Sequence, residues 1–285
     1  MLPFRQVDVF TSEFMLGNPV AVVHDADGLS TGQMQAFARW TNLSETTFLL
    51  ASSHPAADYR LRIFTTQREL PFAGHPTLGS ARAWLEVDRN PRSSLELVQE
   101  CGAGLVRIRR EGDRLAFAAP PLLRGGPVDA GDVAQLAQAI GVRIDEVVDA
   151  QWADNGPGWV ALLLADANRV LSLDPDRGGF GRFPDIGVVG PYPDGSEVAF
   201  EVRAFTAGGE DPVTGSLNAA LGQWLIGTGR APGSYVASQG TRLQRRGRIH
   251  ITQADDHIWV GGDTVVAVTG SVNLEPARGA HGTPR

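Results

Sequence analysis

The chain has 285 residues, with 25 basic and 32 acidic side chains, a formal net charge of −7 and 42% hydrophobic residues. This is the composition of a globular protein, and its acidic balance argues against nucleic acid as a partner, which requires a concentrated basic surface. Every basic residue is arginine. Without lysine the chain cannot form a pyridoxal-phosphate Schiff base or use a lysine general base.

A single cysteine, Cys101, cannot form an internal disulfide. The N-terminus lacks a basic segment followed by a long apolar run, and no apolar stretch approaches the roughly 18 to 20 residues of a spanning helix. The sequence therefore predicts a cytoplasmic protein with no membrane partner.

The first half of the chain predicts a helix, a strand, a second helix and a hairpin. Ser30 and Gln33 have the spacing of a capping box, which predicts a helix start. Residues 59–65 alternate between apolar and polar side chains, as a strand does. Pro76 favours the first turn of a helix, and residues 105–119 predict a β-hairpin.

The second half predicts similar elements in a similar order. Residues 120–127 are rich in proline and glycine and predict a linker, and residues 132–140 predict a helix. Residues 198–205 predict a strand, followed by a helix that Gly227 ends. Residues 249–260 predict another hairpin.

The two halves contain an internal repeat. Residues 64–85 align without gaps on residues 205–226, at an offset of 141 residues. The identical pairs are Phe64 and Phe205, Thr65 and Thr206, Glu69 and Glu210, Pro71 and Pro212, and Gly74 and Gly215. A duplicated unit predicts two similar lobes. We expect an N-terminal lobe of residues 1–119, a C-terminal lobe of 120–275 whose last strand can return to the first lobe, and a flexible tail of 276–285.

The two copies differ at polar positions around each helix start. Leu70 in the first copy corresponds to Asp211, and His75 corresponds to Ser216. One interpretation is that these polar residues act on a ligand. The other is that His75 and Ser216 only cap their helices while Asp211 opens a turn.

Each predicted central helix begins at a glycine, Gly74 or Gly215. The backbone amides of a first helical turn have no intrahelical partner, and the helix dipole favours negative charge there. Two such helix starts can hold one carboxylated molecule between them.

Glu45 interrupts a run, NLSETTFLL, that otherwise predicts a buried strand. Burial would raise its pKa towards neutrality, where a carboxyl group can both donate and accept a proton. The alternative is an exposed acid at the end of a strand. Its counterpart in the second half is Ile186, so the repeat does not duplicate this acid.

Metal, phosphate-loop and nucleophile chemistry find less support. The remaining histidines have no pair at metal-ligand spacing: His24, His54, His250, His257 and His281. Two glycines, Gly208 and Gly209, are too few for a phosphate-binding loop, and the chain lacks a G-x-S-x-G nucleophile motif around Ser216. We therefore expect no metal and no cofactor.

Four motifs in this order resemble the phenazine-biosynthesis PhzF-like family over nearly the whole chain. They are GNPVAVV at 17–23, NLSETTF at 42–48, ELPFAGHPTLG at 69–79 and GEDPVTGS at 209–216. The resemblance implies an α+β fold like that of diaminopimelate epimerase, with two pseudo-symmetric lobes, each a curved, mostly antiparallel sheet around a central helix. It also implies a homodimer.

The resemblance assigns roles to individual residues. The glutamate that matches Glu45 is the general acid/base that isomerises trans-2,3-dihydro-3-hydroxyanthranilate in the founding phenazine enzyme, and the residues matching His75 and Asp211 assist it. The positions expected to bind substrate are Asn18, Gly74, Gly215 and Ser216.

The related epimerases have a cysteine immediately before the glycine of each helix start, where this chain has Ala73 and Thr214. Neither side chain can form a thiolate, which favours isomerisation through Glu45 over racemisation by two bases. The loop at 205–210 is shorter than in the phenazine-pathway members, so the small carboxylated substrate need not be the phenazine precursor. A non-catalytic binding protein and an epimerase with another base remain the alternatives.

Overall fold

The computed structural model describes residues 1–87, 91–206 and 208–274; the predicted tail at 276–285 lies outside these residues. The α-helices of this part of the chain are α1 Thr31–Thr41, α2 Gly74–Glu86, α3 Ala130–Ala139, α4 Ala167–Leu171 and α5 Gly215–Gly227. The strands of the first half are β1 Leu2–Val9, β2 Asn18–Val23, β3 Thr46–Leu50, β4 Tyr59–Phe64, β5 Glu69–Leu70, β6 Glu96–Cys101, β7 Gly104–Glu111, β8 Arg114–Ala118 and β9 Arg124–Pro127. Those of the second half are β10 Val147–Asp154, β11 Trp159–Leu164, β12 Asp185–Pro191, β13 Phe200–Thr206, β14 Gly209–Asp211, β15 Ser234–Gln239, β16 Gly247–Ala254, β17 His257–Gly262 and β18 Thr264–Val272.

The strand pairings form two equivalent ladders. In the first lobe the hydrogen-bonded order is β18–β1–β2–β3–β4–β6–β7–β8. In the second it is β9–β10–β11–β12–β13–β15–β16–β17. The parallel pairs β2–β3 and β4–β6 recur as β11–β12 and β13–β15, and all other pairs are antiparallel. The predicted pseudo-symmetric, mostly antiparallel α+β fold is therefore confirmed.

The last strand of each half pairs within the other lobe. β18 follows the second lobe along the chain and pairs with β1, whereas β9 follows the first lobe and pairs with β10. The prediction that residues 120–127 form only a linker is thus wrong for 124–127. In β9, Pro127 stands at the end of an edge strand, and Gly125 and Gly126 leave the backbone free to pair. A composition typical of a loop is therefore compatible with this strand.

The central helices α2 and α5 are the two repeat helices, and their bounds differ by the offset of 141 residues. α2 buries ten of its thirteen residues and contacts β1, β2, β3, β4, β8 and β18, so the sheet curves around it. α5 buries nine of its thirteen residues and packs against β10, β16 and β17. Small and aliphatic residues on most faces of both helices suit this burial, and the polar pair Arg82 and Glu86 near the end of α2 is partly exposed.

Matching ion pairs hold the hairpin before each central helix. Arg62 donates to Glu69 in the β4–β5 hairpin at 2.7 and 2.6 Å, and Arg203 donates to Glu210 in the β13–β14 hairpin at 2.9 and 2.8 Å. The two pairs are again 141 residues apart. The second pair is nearly buried, with side chains 5% and 13% exposed. It fixes the hairpin that ends at Asp211.

The remaining predicted elements are also present. The Ser30–Gln33 capping box forms at the start of α1, β7 and β8 form the first hairpin, and β16 and β17 form the second. The helix predicted at 132–140 is α3, displaced by two residues at its start and one at its end.

Candidate active site

The N-termini of the two central helices meet between the lobes. A Cβ atom on Gly74 would lie 3.1 Å from the Cα of Gly215 and 2.6 Å from the ring of Phe117. A Cβ on Gly215 would lie 3.1 Å from the Cα of Gly74 and from the backbone nitrogen of His75. Glycine suits this approach, because a Cβ atom at these distances would require its neighbours to shift. The two helix starts therefore lie in close contact between the lobes.

No side chain caps either helix. The residues before the two helices, Ala73 and Thr214, make no side-chain capping hydrogen bond. His75 and Ser216 are the second residues of their helices, so the interpretation of these two residues as caps does not hold. The first-turn amides lack side-chain acceptors and can accept an anionic group.

Asn18 and Asp211 connect the two lobes. Asn18 begins β2, and its Nδ2 donates to Oδ1 of Asp211 at 3.0 Å and to the carbonyl of Val213 at 2.9 Å. The same nitrogen lies 3.5 Å from Nδ1 of His75. Because an amide nitrogen has only two hydrogens, both are used by oxygen acceptors, and the contact with His75 is packing.

Glu45 lies immediately before β3, anchored by the buried Thr46 and Thr47 that follow it. Its Oε2 is 3.4 Å from Nε2 of His75, and the two side chains are 16% and 6% exposed. Neither of these two buried atoms makes a hydrogen bond. Unsatisfied buried polar atoms are rare and mark candidate functional groups, and catalytic contacts are often loose before substrate binds.

This contact joins two neutral groups. Burial, followed by the charge of Asp211, raises the pKa of Glu45 from 4.5 to about 8. Burial lowers the pKa of His75 from 6.5 to about 3, partly opposed by a hydrogen bond to the backbone of Pro19. At neutral pH Glu45 is therefore mostly protonated and His75 uncharged. Proline has no N–H, so His75 is the donor in this hydrogen bond, and Nε2 of His75 faces Glu45 without a hydrogen-bond partner.

Asp211 is the ionised member of the group at neutral pH. Burial raises its pKa from 3.8 to about 6, although hydrogen bonds from Thr214 and Asn18 favour the charged form. Burial and the charge of Asp211 similarly raise the pKa of Asp185, on β12, to about 6. This cluster thus contains an acid with a pKa of about 8 beside one with a pKa of about 6, the arrangement of paired groups with separated pKa values that acid/base sites use.

Ser216 is oriented by two residues that the sequence analysis did not identify. Nε1 of Trp159 donates to its hydroxyl oxygen at 3.0 Å, and Nδ2 of Asn155 donates to its backbone carbonyl at 2.8 Å. Since the indole only donates, the hydroxyl hydrogen of Ser216 is left for another acceptor. Both partners lie in residues 155–163, NGPGWVALL, and the similarity of this segment to GNPVAVV at 17–23 is the signal that could have indicated them.

The structure thus gathers the predicted residues around the two helix starts. Glu45, His75, Asn18 and Asp211 form one connected cluster, and Gly74, Gly215 and Ser216 line the helix N-termini beside it. Within the described residues, no three histidine, cysteine or acidic side chains are grouped so that they could hold a metal ion. Over the same ranges, no helix has the length and apolarity needed to cross a bilayer.

Two pseudo-symmetric lobes, each wrapped around a central helix, place this chain among two-lobed α+β proteins with the epimerase-like architecture. A hydroxyproline epimerase from Agrobacterium vitis shares it, with a TM-score of 0.57 at 14% identity, covering 94% of this chain and 91% of that one. Residues 7–271 match the family described as "Phenazine biosynthesis-like protein". The chain belongs to this family, as its four motifs predicted.

Individual relatives support the same assignment. Antisense-enhancing sequence 1 of Schizosaccharomyces pombe is 34% identical over 94% of this chain and 97% of its own length. The trans-2,3-dihydro-3-hydroxyanthranilate isomerase of Pseudomonas fluorescens is 36% identical over 64% of each chain. The crystal structure of a Bacillus anthracis PhzF-family protein has a TM-score of 0.81 at 23% identity, covering 95% and 99% of the two chains. With named isomerases among these relatives, the prediction of an isomerase is confirmed at the level of the enzyme class.

Proposed function

We propose that this protein isomerises a small carboxylated substrate by moving a proton between two of its carbon atoms, with Glu45 as the acid/base. The observation that carries the proposal is the buried carboxyl of Glu45, 3.4 Å from an uncharged His75 and with a pKa raised to about 8. Such a group exchanges protons with substrate at physiological pH without a metal or cofactor.

Glu45 rests in its protonated form, so it donates first. The carboxylate that remains then takes a proton from a second carbon on the same face of the substrate, which restores the resting state. When substrate binds, the 3.4 Å contact between Oε2 of Glu45 and Nε2 of His75 tightens into a hydrogen bond that orients the acid. The negative charge of Asp211 disfavours early ionisation of Glu45, and so keeps the donor form populated.

The substrate carboxylate is held by the helix starts in this proposal. The uncapped amides of α2 and α5 and the hydroxyl of Ser216 are donors on facing surfaces, and a helix N-terminus favours negative charge. An unsaturated carboxylate related to trans-2,3-dihydro-3-hydroxyanthranilate fits this chemistry. The kinship to the Pseudomonas fluorescens enzyme makes that compound the first to offer.

Racemisation by two bases finds less support. The positions of the two epimerase cysteines are occupied by Ala73, which has no acid, and by Thr214, whose hydroxyl donates to Asp211 at 2.6 Å. One acid acting on one face returns the proton without inverting a centre.

The test offers trans-2,3-dihydro-3-hydroxyanthranilate and a panel of small unsaturated or cyclic carboxylates to the protein in heavy water. We expect one compound to be isomerised with a solvent-derived deuterium on carbon and with retained configuration elsewhere. Inversion of a stereocentre during exchange would favour the epimerase alternative. A carboxylate that raises the melting temperature but returns unchanged and unlabelled would favour the non-catalytic binding alternative.

The resemblance also leads us to propose a homodimer. Sedimentation should then give a mass twice the 30.4 kDa of one chain, and a single-chain mass at micromolar concentration would contradict it.

A further inference from the structure

The hydrogen bonds behind Asp211 can be assigned atom by atom, beginning with Gln239 at the end of β15. Its Oε1 accepts from the backbone N–H of Thr214 at 3.0 Å and from Nδ2 of Asn218 at 2.8 Å. A backbone N–H can only donate, so the accepting atom must be the amide oxygen. This fixes the orientation of the Gln239 amide and places its nitrogen against Thr214 and Asp211.

The nitrogen then determines the direction of the next bond. Nε2 of Gln239 donates to the backbone carbonyl of Asp211 at 3.2 Å and to Oγ1 of Thr214 at 2.9 Å. Because Oγ1 receives this hydrogen, its own hydrogen points to Oδ2 of Asp211, 2.6 Å away. The hydroxyl of Thr214 therefore accepts a hydrogen bond from Gln239 and donates one to the carboxylate of Asp211.

The other oxygen of Asp211 is also occupied by a donor. Nδ2 of Asn18 is identified as the nitrogen by its bond to the carbonyl of Val213, and it donates to Oδ1 of Asp211. Both carboxylate oxygens thus face groups that offer hydrogens. Hydrogen bonds donated to both oxygens favour the ionised form of Asp211 over the protonated one, and both Thr214 and Gln239 are buried.

We propose that Thr214 and Gln239 are positioning residues that hold Asp211 as an acceptor-only carboxylate, so that Glu45 alone carries the mobile proton at the site. The inference rests on the proposed role of Glu45. It also gives Thr214 a function where the related epimerases have a cysteine: its hydroxyl is directed at Asp211 rather than at a substrate carbon.

Acidic groups surround Asp211 and favour its protonation, so hydrogen-bond donors are needed to keep it ionised. Glu45 faces it from the first lobe, Asp185 from β12 and Glu210 from its own strand, where Arg203 neutralises Glu210. The nearby His75 is uncharged at neutral pH. Burial among acids favours protonation of Asp211, and hydrogen bonds from Thr214 and Asn18 lower its pKa against that tendency.

Infrared spectroscopy of protonated carboxyl groups at pH 7 tests the assignment without a substrate. In the wild-type protein, we expect one such absorption to disappear in Glu45→Gln and to persist in Asp211→Asn. Thr214→Val removes the hydroxyl that donates to Asp211 while preserving the shape of the side chain. It should therefore add an absorption of a protonated carboxyl group, and the further change Asp211→Asn should remove that absorption. Thr214→Ser keeps the hydroxyl and should match the wild-type protein.

Two results would overturn the proposal. One is a folded Thr214→Val protein whose carboxyl spectrum equals that of the wild type. The other, which needs no Thr214 variant to fold, is a wild-type absorption at pH 7 that persists in Glu45→Gln and disappears in Asp211→Asn. Either result leaves the isomerase proposal standing if Glu45→Gln still abolishes turnover, so the two failures are distinguishable.

Discussion

Replacing Glu45 by glutamine should change how the stability of the protein depends on pH. The pKa of Glu45 is about 8 in the folded protein and 4.5 ordinarily, so between these values the folded state holds a proton that the unfolded state has released. A raised pKa contributes stability that is complete below pH 4.5 and lost as pH rises through 8. At about 1.4 kcal/mol per pH unit, the ionisation of Glu45 in the unfolded state should lower the free energy of unfolding of the wild type by about 2–3 kcal/mol between pH 5 and pH 7.

Glutamine has the shape of the neutral acid and does not ionise, so the variant lacks this loss. Urea unfolding at pH 5, 6 and 7 measures it as a wild-type-minus-variant difference in free energy of unfolding, in which the contributions of other titrating groups largely cancel. Glu111→Gln is the matched control: this acid is exposed at the end of β7, so its difference should stay constant. Parallel pH profiles for wild type and Glu45→Gln would refute the assignment of a raised pKa to buried Glu45.

The pseudo-symmetry supplies paired tests of packing and charge. Arg203→Met breaks the nearly buried pair and should lower the free energy of unfolding by about 3–5 kcal/mol. Arg62→Met breaks the equivalent pair, whose side chains are 23% and 39% exposed, and should lower it by at most about 1 kcal/mol. Equal losses would contradict the argument that burial makes the difference. Gly215→Ala should cost about 1–3 kcal/mol in thermal or urea unfolding because its Cβ meets backbone of the facing helix. Gly131→Ala, with nothing within 4 Å of the new Cβ, should stabilise α3 by up to about 1 kcal/mol, and a loss there would show that the cost at Gly215 is not steric.

The internal repeat made the architecture predictable. Gap-free similarity between 64–85 and 205–226 gave both central helices, with starts within two residues, and the strands before them. Extending it two residues upstream would have matched Arg62 to Arg203 and revealed the paired ion pairs. β9 escaped prediction because strand pairing at an edge depends on a distant partner, β10, rather than on local composition.

The candidate site was only partly predictable for a similar reason. Glu45, His75 and Asp211 have side chains whose chemistry is apparent from residue type. Gln239 offers no such signal, since it reaches Thr214 only through the parallel pairing of β13 with β15. The direction of the Thr214 hydroxyl follows from that tertiary contact. The sequence therefore showed that Thr214 replaces the cysteine of the related epimerases, but it did not show what the threonine hydroxyl does.

The central claim is that the carboxyl of Glu45 carries the transferred proton. The most direct measurement compares wild type, Glu45→Gln and Glu45→Asp in heavy water with the compound that the wild type isomerises, following deuterium on carbon. We expect Glu45→Gln to bind the compound and remain folded yet lose about 10²- to 10⁴-fold or more in rate, with partial recovery in Glu45→Asp. Isomerisation and deuterium uptake at the wild-type rate in Glu45→Gln would contradict the account.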